Sequence, residues 1–139
     1  MLDDKKKNIY QRKNNMDKRR RFGNASEVAA ARFLEGKGYK ILAHQFRTNR
    51  GEIDLVAEKD DELIFVEVKA RKNTSFGYPE SAVRRDKIRK MAMAAGKYLE
   101  ENKLENKSFR LDVVAMLLQD DGQFSVEHLE GVDIGETEW

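Results

Sequence analysis

The sequence predicts one α/β domain built on a mixed sheet of about five strands flanked by helices, in the order α-β-β-β-α-β-β. Three observations carry that prediction. Apolar residues at helical spacing mark two helices, and short apolar runs bounded by Gly, Asp and Asn mark five strands. A chain of 139 residues is long enough for one core and too short for two comfortable ones.

The first helix is expected over about residues 25–36, where Val28, Ala31 and Leu34 recur at helical spacing until Gly36 and Gly38 stop the run. YKILAHQF, residues 39–46, is the first strand, and the polar RTNRG follows it. Residues 52–58 and 63–70 are the second and third strands. KNTSFGYPES, residues 72–81, has the Gly, Pro and Ser content of a loop. Ile88, Met91, Ala92, Ala95 and Leu99 then mark an amphipathic helix of about residues 83–100, whose other face is almost wholly basic. LDVVAMLL, residues 111–118, and the shorter FSVEHL complete the sheet around QDDGQ. Residues 1–22 lack sustained apolar periodicity and read as a flexible basic arm, residues 23–131 as the domain, and residues 132–139 as an acidic tail.

The apolar share of 40% supports a core, and 37% charged residues with one proline describe a charge-rich surface. No apolar run approaches the roughly 20 residues of a membrane helix. No apolar h-region follows the basic start, so neither a membrane partner nor a secretory signal is expected. Zero cysteines exclude disulfides, thiol catalysis and thiolate metal sites, and a cytoplasmic protein is the simplest reading. The net charge of +2 hides segregation: residues 1–21 carry nine Lys/Arg against three Asp, residues 69–97 nine against two acids, and residues 98–139 three against eleven. One part of the surface therefore suits a polyanion and another repels it, unless each run is merely solvated surface.

Charges interrupt the second and third strands, GEIDLVAEKDDELIFVEVKAR at 51–71. With a tight turn at Asp60 and Asp61, Leu55 faces Val66, Val56 faces Phe65, Asp54 faces Glu67 and Glu52 faces Lys69. One face is then Ile53, Leu55, Ala57, Ile64, Val66, Val68 and Ala70, all apolar, and a one-residue slip would mix the two sets. The other face gathers Glu52, Asp54, Glu67 and Lys69 at one end. Opposed carboxylates destabilise a sheet. A divalent cation between them reverses that sign, and oxygen-only ligands suit Mg²⁺ or Mn²⁺. Lys69, two residues after Glu67, projects on the same face and could polarise an attacking water or stabilise transition-state charge. In the plainer alternative, Glu52 and Lys69 form an ion pair while Asp54 and Glu67 face solvent. Glu27, one turn before Ala30 and Ala31, can point inward as a third carboxylate, or close a capping box with Asn24. Asp112 interrupts its strand as Asp54 does, with a hydrogen-bonding or a catalytic role. His44 and His128 read as ordinary strand residues.

The spacing from Asp54 to Glu67-Val68-Lys69 resembles the PD-(D/E)xK nuclease superfamily. Over about Gly23 to Leu129 the chain resembles the YraN-like family of predicted bacterial endonucleases, related in fold to archaeal Holliday-junction resolvases. The resemblance rests on Glu27, Gly38-Tyr39, Arg47, GEIDLVA, FVEVKAR, FGYPESAV, Lys87, Tyr98-Leu99 and RLDVVA. It implies a restriction-endonuclease-like core with Glu27, Asp54, Glu67 and Lys69 at the catalytic positions and Lys87 near the phosphate. Two places depart from the pattern: His44-Gln45-Phe46 stands where an Arg-Asn pair is expected, and no Asn-Ala-Phe follows His128-Leu129.

The expected function is a Mg²⁺- or Mn²⁺-dependent nuclease acting on DNA phosphodiesters, with branched or processing intermediates among the expected substrates and Asp54, Glu67 and Glu27 at the metal. Arg47, Arg50, Arg71, Lys72, Arg84, Arg85, Lys87, Arg89 and Lys90 would bind phosphates without reading sequence. A homodimer is expected by analogy with resolvases. The alternatives are a nucleic-acid-binding protein on a nuclease-like scaffold that does not cut, and an adaptor using the basic and acidic ends as contact surfaces.

Overall fold

Five strands form one sheet in sequence order in the computed structural model, which describes residues 4–74 and 85–132. The elements are α1 (Asp4–Gly36), β1 (Lys40–Arg47), β2 (Glu52–Lys59), β3 (Glu62–Arg71), α2 (Arg85–Glu101), β4 (Phe109–Leu118) and β5 (Phe124–Leu129). Order and class are those the sequence predicts. β1, β2 and β3 meander antiparallel, β4 joins β3 in parallel, and β5 returns antiparallel to β4. A parallel neighbour cannot be reached by a tight turn, and α2 supplies the crossover.

The β2–β3 register matches the alternation: Leu55 faces Val66, Val56 faces Phe65 and Ala57 faces Ile64. Asp60 and Asp61 both take positive φ, 51° and 66°. That is the backbone of a tight hairpin turn whose twist matches its strands, and Asp tolerates it better than a branched residue does.

Helices cover both faces of the sheet. On one side α1 lays Ala30, Ala31 and Leu34 on Leu55, Ala57, Ile64, Val66, Val114 and Met116. On the other α2 lays Ala92, Ala95 and Leu99 on Ile53, Val56, Leu63, Phe65 and Leu111. Burial on two faces accounts for the nearly unbroken apolar runs in β3 and β4. Each fully buried Leu, Ile or Phe there contributes roughly 1.5–3 kcal/mol. Edge-to-face rings fix α2 in place: Tyr98 meets Phe46 and Phe65 at centroid distances of 5.2 and 5.6 Å.

Three details differ from the sequence reading. α1 begins at Asp4, not near residue 25, because straight-chain Lys, Arg and Gln favour helix without needing an apolar stripe to reveal it. Asn24 is consequently mid-helix, and the capping box with Glu27 does not arise. Val28 is 49% exposed and turns away from the core. Ile53 joins the α2 core rather than the face of Leu55 and Ala57, because the regular ladder stops at Leu55. Arg84, most of the 72–81 loop and the tail beyond Val132 lie outside the described residues.

Candidate functional site

The site forms where β2 parts from β3. The ladder between them ends at Leu55 and Val66, and one turn of pleat further the Val68 N–H donates to Asp54 Oδ2 at 2.8 Å. A carboxylate thus replaces the missing strand carbonyl, and this bond draws Asp54 beside Glu67. The two carboxyl groups hydrogen-bond to each other. Glu67 is only 4% exposed, and its Oε2 has no partner among the described residues.

Burial, then the charge of Asp54, pushes the Glu67 carboxyl up to about 8, against the opposing pull of Lys87 and Lys69. Asp54 is also raised, chiefly by burial, which the Val68 N–H and other groups partly offset. Two carboxyls in contact cannot both ionise cheaply, so the pair retains a proton on Glu67 near neutral pH. The plainer alternative fails on two counts. Asp54 and Glu67 do not face solvent, and Glu52 pairs with Arg47 at 3.6 Å and Lys87 at 3.9 Å instead of with Lys69.

Lys87, from the first turns of α2, reaches Glu67 at 3.6 Å and bridges it to Glu52. Lys69 is half-buried two residues along β3 from Glu67 and forms no ion pair among the described residues. Arg71, two residues further on the same side, has a buried Nε without a hydrogen-bond partner among the described residues. Glu67, Lys69 and Arg71 thus line one strand face at a spacing of two. Glu27 is half-buried on α1 and accepts a hydrogen bond from the Gln45 amide. Burial raises its carboxyl, the Gln45 bond opposes this, and the charge of Asp54 adds to it. Among the described residues no three His, Asp or Glu side chains close on one point as a metal cage. The inner pair is Asp54 and Glu67, and Glu27 stands behind Gln45.

Beside the pair opens a cleft of about 290 Å³ lined by Arg47, Thr48, Gly51, Glu52, Lys87 and Lys90. Its wall depends on Gly51. A Cβ there would lie 2.3 Å from the Lys90 carbonyl oxygen, so only glycine lets the β1–β2 loop press against the α2 backbone. Thr48 Oγ1 stiffens the loop by accepting from the N–H groups of Arg50 and Gly51 at 3.1 and 3.0 Å. Lys87 and Lys90, one helical turn apart, face this cleft; Arg50, Arg85 and Arg89 are exposed, and Lys72 is exposed with its Nζ over the Phe22 ring of α1.

Gln45 was not among the expected site residues. It takes φ of 54°, accepts from Arg47 at 2.6 Å and donates to Glu27. The His-Gln-Phe departure was its one signal, and nothing in the residue type marks Gln45 for a left-handed backbone. His128 also departs from the ordinary strand role expected of it. Asp112, fully buried, accepts from Arg110 Nε at 2.9 Å and the Gly131 N–H at 3.0 Å, and its Oδ2 lies 2.7 Å from His128 Nε2. Burial works to raise the Asp112 carboxyl, but the bonds from His128, Arg110 and Gly131 prevail and hold it below its ordinary value. Every lone pair in use and no exposed surface make this a structural network. Its members tie β4 and β5 to Tyr39 and Glu62, through Arg110. His44 stays exposed on β1.

The model of "Uncharacterised protein family UPF0102" matches residues 26–116, which hold Glu27, Gln45, Asp54, Glu67, Lys69 and Lys87. The chain belongs to the UPF0102 family. A UPF0102 protein of Syntrophomonas wolfei is 44% identical over 110 residues, covering 79% of this chain and 95% of that one. A UPF0102 protein of Sulfurihydrogenibium is 45% identical over 101 residues, covering 73% and 87% respectively. One from Pelobacter propionicus is 43% identical over 112 residues. This is the YraN-like group that the sequence motifs resemble. The UPF0102 match leaves residues 1–25 outside, although α1 runs through them without a break.

The raised Glu67 carboxyl gives a signed stability prediction. In the unfolded chain it loses its proton near 4.5, whereas in the folded chain it keeps it to about 8. Between those values the folded state binds more protons, so stability falls as pH rises, by up to about 1.4 kcal/mol per pH unit. Denaturant titrations from pH 5 to 8 in chelator should show this slope. Glu67→Gln, which cannot ionise, should flatten it; equal slopes in both chains would refute the assignment to Glu67.

Proposed function

We propose that this UPF0102 protein is a metal-dependent nuclease that hydrolyses nucleic-acid phosphodiesters, with DNA as its substrate. The observation that carries the reading is the pairing of half-buried Asp54 with buried Glu67, whose Oε2 has no hydrogen-bond partner among the described residues, beside a lysine-lined cleft. A buried acceptor left without a donor is costly, and a pair of opposed carboxyls is costly as well. One divalent cation relieves both. The donor set is all oxygen, and Mg²⁺ characteristically takes one or two carboxylates and fills its remaining positions with water and phosphate. The residues present therefore fit Mg²⁺ or Mn²⁺, with Asp54 and Glu67 as the ligands and Glu27, which accepts from Gln45, supporting the ion directly or through water.

When bound, such an ion supplies Lewis-acid polarisation of the phosphoryl oxygen and lowers the pKa of a water. The chain's own groups do the rest. Lys69, on the face of Glu67 and without an ion pair among the described residues, orients the attacking water and offsets charge on the pentacovalent transition state. Lys87, 3.6 Å from Glu67, would offset the charge of a non-bridging phosphate oxygen held at the carboxylate pair. Arg47, Lys90 and the exposed Arg50, Lys72, Arg85 and Arg89 hold neighbouring phosphates, and Arg84 belongs with them by sequence. Backbone contacts of this kind position a strand without reading its bases. A homodimer would present two such sites to a symmetric branched substrate, and a cytoplasmic setting belongs to the same reading. No helix among the described residues is long and apolar enough to cross a membrane.

Incubation with branched, flap, single-stranded and duplex DNA in Mg²⁺ or Mn²⁺ tests the proposal. Cleavage should require the metal and cease in chelator. Metal-independent DNA binding without any cleavage would favour the scaffold that binds and does not cut.

A further inference from the structure

α1 runs antiparallel to β3. Tyr39, just past the helix, meets Lys59 near the start of β3, with Nζ 4.8 Å from its ring. At the opposite end Phe22 meets Lys72, just past β3, with Nζ 5.1 Å from its ring, and Phe124 at a centroid distance of 5.9 Å. Residues before Phe22 therefore lie beyond the C-terminal end of β3, the end that carries Glu67, Lys69 and Arg71. From Phe22 back to Asp4 the helix continues for 18 residues, or about 27 Å at 1.5 Å each.

The composition of this extension suits neither a core nor a bilayer. Residues 4–22 hold nine Lys/Arg against Asp4 and Asp17, with Ile9, Tyr10, Met16 and Phe22 as the large apolar residues. Lys18, Arg19, Arg20 and Arg21 are all exposed, and none forms an ion pair among the described residues. Successive side chains leave a helix about 100° apart, so these four charges ring the axis rather than line one side. A helix lying on a membrane needs one apolar face and one basic face. A ring of cations instead matches a groove with phosphates along both walls, and the B-DNA major groove, about 12 Å wide, admits one α-helix. The deep, narrow groove of duplex RNA does not admit side chains in this way.

We propose that the α1 extension is a duplex-DNA-binding arm that lies in the major groove flanking the carboxylate site, with Lys18, Arg19, Arg20 and Arg21 contacting the backbone nearest the site. About 27 Å of helix spans roughly eight base pairs at 3.4 Å each. The choice of polyanion rests on the nucleic-acid reading of the carboxylate site, but the arm's role is in binding and is separable from cleavage.

The test uses the full chain carrying Asp54→Ala, without metal, so that cutting plays no part. Its affinity for a 20-base-pair DNA duplex is measured by fluorescence anisotropy across a NaCl series. Replacing Arg19, Arg20 and Arg21 by Gln, which keeps helix propensity, should weaken binding at least tenfold at about 0.1 M salt. It should also lower the slope of log K against log salt by about 3, at roughly 0.9 per lost phosphate contact. Replacing Arg32, Lys40 and Lys103 by Gln, an equal loss of exposed charge elsewhere, should leave the slope unchanged. The proposal is overturned if the two triple variants behave alike, if the parent binds no duplex DNA, or if the arm's arginines matter equally for duplex RNA or for anionic phosphatidylserine vesicles. If the wild-type chain binds with an arm-dependent slope but never cuts, the arm stands and the nuclease reading falls.

Discussion

Asp54→Ala should lower metal-dependent DNA cleavage by about 10³-fold, and Lys69→Ala by about 10²–10³-fold, the range expected when one group stabilising developing charge is lost. For Asp54 the effect is on the metal itself, so raising Mg²⁺ should recover part of the rate. For Lys69 it is on the transition state, so saturating metal should recover none. Neither change should unfold the domain. Removing Asp54 strips one partner from the Val68 N–H, at roughly 1–3 kcal/mol. It also removes the neighbouring carboxyl that raises Glu67, and the two effects oppose each other. Single-turnover rates with circular dichroism as the folding control read both outcomes. Full activity in either variant removes that residue from the proposed chemistry.

The largest expected effect on stability lies in the second polar centre, not in the first. Asp112→Ala leaves Arg110, His128 and the Gly131 N–H facing a buried gap where a carboxylate accepted from all three. Breaking a buried charged network by removing one partner costs about 3–5 kcal/mol. That is a large part of the 5–15 kcal/mol typical of a domain. The variant should therefore be substantially destabilised in urea titrations. Because the folded Asp112 carboxyl is held below its ordinary value, its contribution is present above the unfolded value of 3.8 and is lost as pH falls below it. A near-wild-type midpoint for Asp112→Ala would show that the network contributes little.

The carboxylate pair was legible in the sequence because one physical rule set it. Alternation of period two, with a tight Asp60-Asp61 turn, fixes which residues oppose each other, and no neighbouring element is needed to solve it. The same rule could not foresee that Ile53 changes sides, since the splaying of β2 from β3 depends on Asp54 capturing the Val68 N–H. Gln45 beside Glu27 depends on contact between β1 and α1 and on a left-handed residue, neither of which leaves a periodic trace. Asp112 and His128 are 16 residues apart, and their bond follows from the pairing of β4 with β5. The length of α1 was hidden for a different reason. A solvent-facing basic helix lacks the apolar stripe by which helices are recognised, so propensity alone had to signal it.

The pair's position also explains why basic residues crowd one end of the sheet. β3 delivers Glu67, Lys69 and Arg71 on one side, α2 delivers Lys87 and Lys90 across the cleft, and α1 carries its arginines past the same end. Three elements far apart in sequence thus bring basic side chains to one region, which the proposed function assigns to the nucleic-acid backbone. Glu130, just past β5, pairs with Lys37 and Arg110 at the other end of the sheet.

Anomalous diffraction from a crystal soaked in Mn²⁺ tests the central claim most directly. A single peak bridging the carboxylates of Asp54 and Glu67, with Glu67 Oε2 as a ligand, is the predicted result. A carboxyl pair still hydrogen-bonded and bare at saturating Mn²⁺, above the pH at which Glu67 ionises, would contradict it.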